Sequence, residues 1–143
     1  MDVLTKRQRS YCMSQIRGRD TTWEVTFRKY AWGKGVKGYK VRNKVFGRPD
    51  MYFPVKKLAV FIDGCFWHKC PRCFIKPRNN KIFWERKITS NVRRDAKTSK
   101  RLSKEGIAIL RFWEHEVEYD LRRCYRRLER ALNRLEKRNK ARV

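Results

Sequence analysis

Negative charge is scarce in this sequence. Its 143 residues carry 14 Asp+Glu against 39 Lys+Arg, a formal net charge of +25. A folded domain this basic repels itself, and a polyanionic partner is the usual compensation: nucleic acid first, an acidic membrane surface second. Long apolar runs are also missing. None approaches the roughly 20 residues that a membrane-spanning helix needs, so no membrane-spanning segment is expected. Residues 1–6 turn basic without an apolar stretch, so no secretory signal is expected and a reducing cytoplasm is the expected compartment. Internal repeats and Gly/Ser linkers are absent too, and a chain of this length supports one domain, residues 1–143, with a modest core.

The sequence has ample means to fold. Hydrophobic residues make up 41% and aromatics 13%, too much for a disordered basic tail. The positive charge is spread evenly: residues 1–50, 51–100 and 101–143 each hold 13 Lys+Arg, while the acids divide as four, three and seven. The first 100 residues therefore contain only Asp2, Asp20, Glu24, Asp50, Asp63, Glu85 and Asp95, few enough to ask what each one does.

Hydrophobic patterning gives a coarse order of elements. Residues 1–18 form a basic N-terminal segment in which 5–17 make a weakly periodic helix. Asp20 or Thr21 can cap a following helix that places Trp23, Phe27 and Tyr30 on one face, closed by Gly33, Gly35 and Gly38. After the Gly47-Arg48-Pro49 break comes Asp50-Met51-Tyr52-Phe53, and then Leu58-Ala59-Val60-Phe61-Ile62, a continuous apolar run typical of a central strand. Residues 63–80 read as an irregular loop and 82–105 as a helix closed by Gly106. Ile107 to Trp113 reads as a second buried strand. From about Val117, Leu121, Tyr125, Leu128, Leu132 and Leu135 form the apolar stripe of a long basic amphipathic helix that includes residues 119–143. The order predicts one α/β domain.

Three of the five cysteines crowd into Cys65-x4-Cys70-x2-Cys73, which favours metal over disulfides. A structural zinc takes four N/S ligands in tetrahedral geometry, so a fourth is needed. His115, just after the second strand, and Cys124, in the last helix, are the candidates. His115 is preferred because Cys124 sits beside the apolar stripe, while His68 lies only three residues from Cys65. Cys12 is expected to be a spectator.

Pro49-Asp50 and Asp63 flank two apolar strands. If these pair as a hairpin, their carboxylates approach at one sheet edge, an oxygen-ligand arrangement suited to Mg²⁺ and phosphate. On its own this pattern is matched by a plain alternative, a turn acid and a strand-end cap.

The run Asp63-Gly64-Cys65-Phe66-Trp67-His68 tips the balance. Its stretch Gly64-Cys65-Phe66-Trp67-His68, with Arg19-Asp20-Thr21 and Glu24, Gly47-Arg48-Pro49-Asp50, Phe83-Trp84 leading to Lys87, Asn91-Val92-Arg93-Arg94-Asp95, and Phe112-Trp113-Glu114-His115, resembles the very-short-patch repair (Vsr) endonuclease family, in the family's order, over about residues 5–118. The resemblance implies a restriction-endonuclease-like, PD-(D/E)xK-type mixed sheet flanked by helices, a structural Zn²⁺, and Mg²⁺-dependent nicking of double-stranded DNA near a T:G mismatch. It implies Asp50 and the main-chain carbonyl of Ile62 as Mg²⁺ ligands, His68 as general base oriented by Asp95, and Glu24 behind them. It also implies zinc on Cys65, Cys70, Cys73 and His115, and Phe66, Trp67 and Trp84 as aromatics that wedge into the base stack. A monomer acting at the nucleoid is expected, with mismatch-repair proteins as candidate partners.

Two positions depart from the pattern. Asp63 stands where the best-known members carry His, and Ile62 where they carry Thr, so Asp63 becomes a further candidate Mg²⁺ ligand. A homing-type or site-specific endonuclease with the same core is the alternative enzyme reading. A non-catalytic zinc-knuckle nucleic-acid binder would leave Glu24, Asp50, Asp63, His68 and Asp95 without a role.

Overall fold

A computed structural model describes residues 21–141. The basic segment 1–18, Cys12 and the capping candidate Asp20 lie outside the described residues. Within them the order is α1 (Thr22–Gly33), β1 (Met51–Phe53), β2 (Leu58–Asp63), α2 (Lys81–Lys104), β3 (Ala108–Trp113), α3 (Glu114–Tyr119) and α4 (Leu121–Ala141). Helices flank a three-stranded mixed sheet of order β1-β2-β3. β1 runs antiparallel to β2, with Met51 opposite Val60, and β3 runs parallel to β2, with Phe61 opposite Arg111 and Asp63 opposite Trp113. The expected hairpin is present, and α2 supplies the crossover that parallel neighbours require.

β2 is buried along its whole length because both faces of the sheet are covered. Its alternation divides the interior. Leu58, Val60 and Ile62 pack with Phe27, Phe112, Val117 and Leu128 in the larger core. Ala59 and Phe61 face the other way, against Leu102 of α2. The tail's apolar stripe belongs to the larger core: Cys124, Leu128, Ala131, Leu132 and Leu135 are buried, and its cations lie outside.

Several ends follow local chemistry. Thr21 caps α1, its Oγ1 accepting the Glu24 N–H at 3.3 Å. The last helical segment is broken where the sequence predicts continuity: Asp120 has φ −147° and ψ 62°, separating α3 from α4. The short helix begins directly after β3, and its second residue, His115, stands beside the 64–80 loop.

Candidate active site

β2 and β3 are parallel, and their carboxyl ends lie at Asp63 and Trp113. Ligands of such sheets bind beyond the carboxyl ends of the strands, and the chemistry-bearing residues collect there. One cleft of about 760 Å³ is lined by Glu24 from α1, Asp50 before β1, Asp63 from β2, His68 from the loop, Asp95 from α2 and Arg111 from β3. Gly47 helps to close it. Its φ is +82°, and a Cβ there would sit 2.2 Å from Thr98 Cγ2, so only glycine lets the loop carrying Asp50 approach α2 so closely.

Asp50 is anchored through its backbone and its side chain. Its N–H donates to the Val60 carbonyl at 2.9 Å, and its Oδ2 accepts the Ile62 N–H at 2.6 Å. Burial, then the charge of Glu24, push its carboxyl up to about 8, against the pull of the Ile62 bond. Glu24 is itself buried and close enough to hydrogen-bond to Asp50. Two acids crowded out of water favour a cation beside them, and Arg28 Nη1 stands 3.8 Å from Glu24 Oε2.

His68 Nδ1 lies 2.5 Å from Asp95 Oδ2 and 3.9 Å from Asp63 Oδ1. The bond to Asp95 fixes the ring and leaves Nε2 for a reactant. Burial pulls the imidazole down, but the Asp95 bond and the charges of Asp63 and Asp95 outweigh it, so its pKa lies above the ordinary value. Asn91 Nδ2 donates to the Trp67 carbonyl at 3.1 Å, tying this loop to α2.

Arg111 was not anticipated. Its Nη1 donates to both oxygens of Asp63, at 3.0 and 3.2 Å, and its guanidinium lies over Phe61, 4.2 Å from the ring centroid. Burial raises the Asp63 carboxyl, with the Arg111 charge opposing that rise. A lone cation in the apolar run Ile107–Trp113 was the available signal.

Beside this cleft the four sulfur and nitrogen atoms of Cys65, Cys70, Cys73 and His115 all lie within 4.8 Å of one another, a set able to hold a metal ion. His115 Nδ1 is 3.3, 3.7 and 3.3 Å from the Cys65, Cys70 and Cys73 sulfurs. The Cys65 N–H donates to Glu114 Oε1 at 3.1 Å, which fixes the loop to α3. Cys124 is outside this set and packs in the larger core.

The three wedge candidates form one cluster. Phe66, Trp67 and Trp84 meet pairwise at 5.2 to 5.8 Å between ring centroids. Phe66 and Trp67 are half-buried and Trp84 is buried. Ile82 and Phe83, to which no wedge role was assigned, are the exposed apolar side chains at this end of α2.

The fold and the site define an α/β protein with a carboxylate–imidazole cleft next to a Cys3His cluster. Comparison with known proteins gives the family. A family model described as "DNA mismatch endonuclease Vsr" matches residues 1–72. The chain is 37% identical over 134 residues to "Type II nicking enzyme V.NmeDIP" of Neisseria meningitidis serogroup C, covering 92% of this chain and 90% of that protein. It is 39% identical over 120 residues to "Type II nicking enzyme V.HpaIIP" of Haemophilus parainfluenzae, covering 82% and 85%. It is 34% identical over 116 residues to "DNA mismatch endonuclease Vsr" of Escherichia coli strain K12, covering 79% and 73%. The chain belongs to the Vsr family.

Proposed function

We propose that residues 1–143 are one Mg²⁺-dependent endonuclease domain of restriction-endonuclease type that nicks one strand of double-stranded DNA at or beside a T:G mismatch. The observation that carries this reading is the His68–Asp95 pair in one cleft with Asp50 and Glu24. The names of the relatives support it. A monomer acting on the cytoplasmic nucleoid, with mismatch-repair proteins as partners, fits the same reading. No described helix is long and apolar enough to cross a membrane.

The residues present suit a divalent cation: hard carboxylate oxygen at Asp50, beside Glu24, with no cationic side chain bonded to Asp50 among the described residues. Asp50 and the main-chain carbonyl of Ile62 would hold it. Asp63, the further candidate ligand, already holds Arg111 with both oxygens. A bound Mg²⁺ supplies charge neutralisation at the phosphate and the leaving oxygen.

This chain's own residues do the rest. His68 Nε2 takes the proton of the attacking water while Asp95 holds Nδ1 and favours the imidazolium that forms. Phe66 and Trp67, half-buried at the loop, with Trp84 behind them, present aromatic surface to a base step that a mismatch has already weakened.

The Cys3His set suits zinc. With Zn–S of about 2.3 Å and Zn–N of about 2.0–2.1 Å, a tetrahedral ion sets neighbouring N and S ligands about 3.5 Å apart. The 3.3–3.7 Å separations here agree.

The test is cleavage of supercoiled plasmid and of short duplexes with and without a T:G pair. Mg²⁺ is expected to support nicking, with the T:G duplex cut preferentially, while Asp50→Ala and His68→Ala bind duplex but lose cutting by at least about 10²-fold. A wild type that binds every duplex and cuts none would leave the zinc-knuckle binder instead.

A further inference from the structure

We propose that Arg111 binds the scissile phosphate, and that Asp63 serves the reaction by holding Arg111 rather than by ligating a metal. This inference rests on the endonuclease reading above. Both oxygens of Asp63 accept from Arg111 Nη1, and its side chain is only 8% exposed. The guanidinium already supplies the countercharge of Asp63 and occupies an acceptor site on each of its oxygens. Asp50, in contrast, is bonded to the Ile62 N–H and crowded by another acid.

Arg111 is placed to meet an anion. It lines the cleft and its side chain is 25% exposed. Asp63 engages only Nη1, and the further contact of Nη2, with Ser99 Oγ, is 3.5 Å long. Arg carries five N–H donors in a planar fork that matches phosphate oxygens. Stacking on Phe61 fixes the plane of that fork at one end of the sheet. Position matters as much as charge: Asp63 Oδ1 is 3.9 Å from His68 Nδ1, so the guanidinium is separated from the imidazole by a single carboxylate.

Stability gives little reason for such a pair. A buried ion pair in a strand is often no better than apolar residues of the same volume, and Ala108, Ile109, Leu110 and Phe112 show what β3 otherwise contains. Arg111 therefore acts as a catalytic residue, touching substrate, and Asp63 as its positioning residue.

The experiment uses the full chain and the variants Asp63→Asn, Arg111→Leu, Arg111→Lys, Asp63→Asn with Arg111→Leu, and Asp50→Asn. Mn²⁺ binding to the protein alone is followed by electron paramagnetic resonance of the free ion, and nicking is resolved into kcat and KM. Asp63→Asn is expected to keep the wild-type Mn²⁺ affinity while kcat falls, whereas Asp50→Asn loses Mn²⁺. Arg111→Leu is expected to lower kcat on the order of 10²-fold. The double variant should be no slower than Arg111→Leu, since a holder without its guanidinium has nothing left to position. Arg111→Lys, which keeps the charge without the fork, should recover part of the rate and stands in if Arg111→Leu fails to fold.

Loss of Mn²⁺ in Asp63→Asn, or an unchanged kcat in Arg111→Leu, overturns the inference while wild-type nicking leaves the endonuclease reading intact. A wild type that cuts no duplex removes that reading and this role of Arg111 with it.

Discussion

His68 can take a proton only when neutral, and its neighbours set the pH at which that state appears. Burial favours the neutral ring, but the hydrogen bond that His68 donates to Asp95 and the charges of Asp63 and Asp95 prevail and raise its pKa. The sign follows directly: the neutral form is present above the raised value, so nicking should fall as pH drops through a point higher than that of an ordinary imidazole. Asp95→Asn removes the largest of the raising influences. Its acid limb should therefore shift to lower pH, even though kcat drops because the ring is no longer well oriented. A pH–rate profile of kcat decides the matter, and an acid limb in the same place for both proteins would remove His68 as the base. Residue types alone leave this constellation open: His68, Asp95, Asp50 and Glu24 are singled out by motif runs that resemble the Vsr family. Arg111 is not, because a single cation inside an apolar strand reads as noise until the parallel register puts it on the same sheet face as Asp63.

The loop from Gly64 to Asn80 contains no helix or strand, although it carries His68 and the half-buried aromatics. Its order depends on what fastens its ends. Its fasteners include the Cys3His set, the Glu114 contact to the Cys65 N–H, the Asn91 contact to the Trp67 carbonyl and the His68–Asp95 bond. His115→Ala should accordingly purify with far less zinc than the wild type and melt at a lower temperature, because the loop keeps only the Glu114 contact to α3 and loses the metal-held one. Cys124→Ala should keep its full metal content, since Cys124 is a buried core thiol, pushed up to about 11 chiefly by burial. Metal analysis of both variants checks this, and zinc that persists in His115→Ala would overturn the proposed ligand set. The elements themselves are largely readable: apolar runs mark β2 and β3, and Gly106, at φ +77°, closes α2. Two features are hidden from sequence. One is the turn at Asp120, which separates α3 from a helix that otherwise reads as continuous. The other is the choice of β3 as a parallel partner of β2, which depends on long-range packing of α2 rather than on any local signal.

A charge of +25 spread evenly along the chain says that the protein binds a polyanion but not along which surface. Two basic surfaces among the described residues can be compared. One is the cleft, where Arg42, Arg48 and Arg94 join Arg111 around the proposed site. The other is a furrow of about 580 Å³ at the start of α4, lined by Arg122, Arg123, Arg126, Arg127, Arg130 and Asp120. If the cleft cuts what it holds, the duplex must cross the first surface, and cations there should release counterions on binding. Log affinity should fall linearly with log salt, and Arg48→Gln and Arg94→Gln should each reduce the slope by about 1. The loss in affinity should be equal on matched and mismatched duplexes, because phosphate contacts position a protein without reading bases. Fluorescence anisotropy across a salt series measures both quantities. Suppose instead that neither cleft variant changes the slope, while the combined Arg122→Gln, Arg126→Gln and Arg130→Gln variant does. The duplex would then lie against α4, on the opposite face of the sheet from Asp63 and Arg111, where His68 could not reach a phosphate, and the proposed site would be left without a substrate.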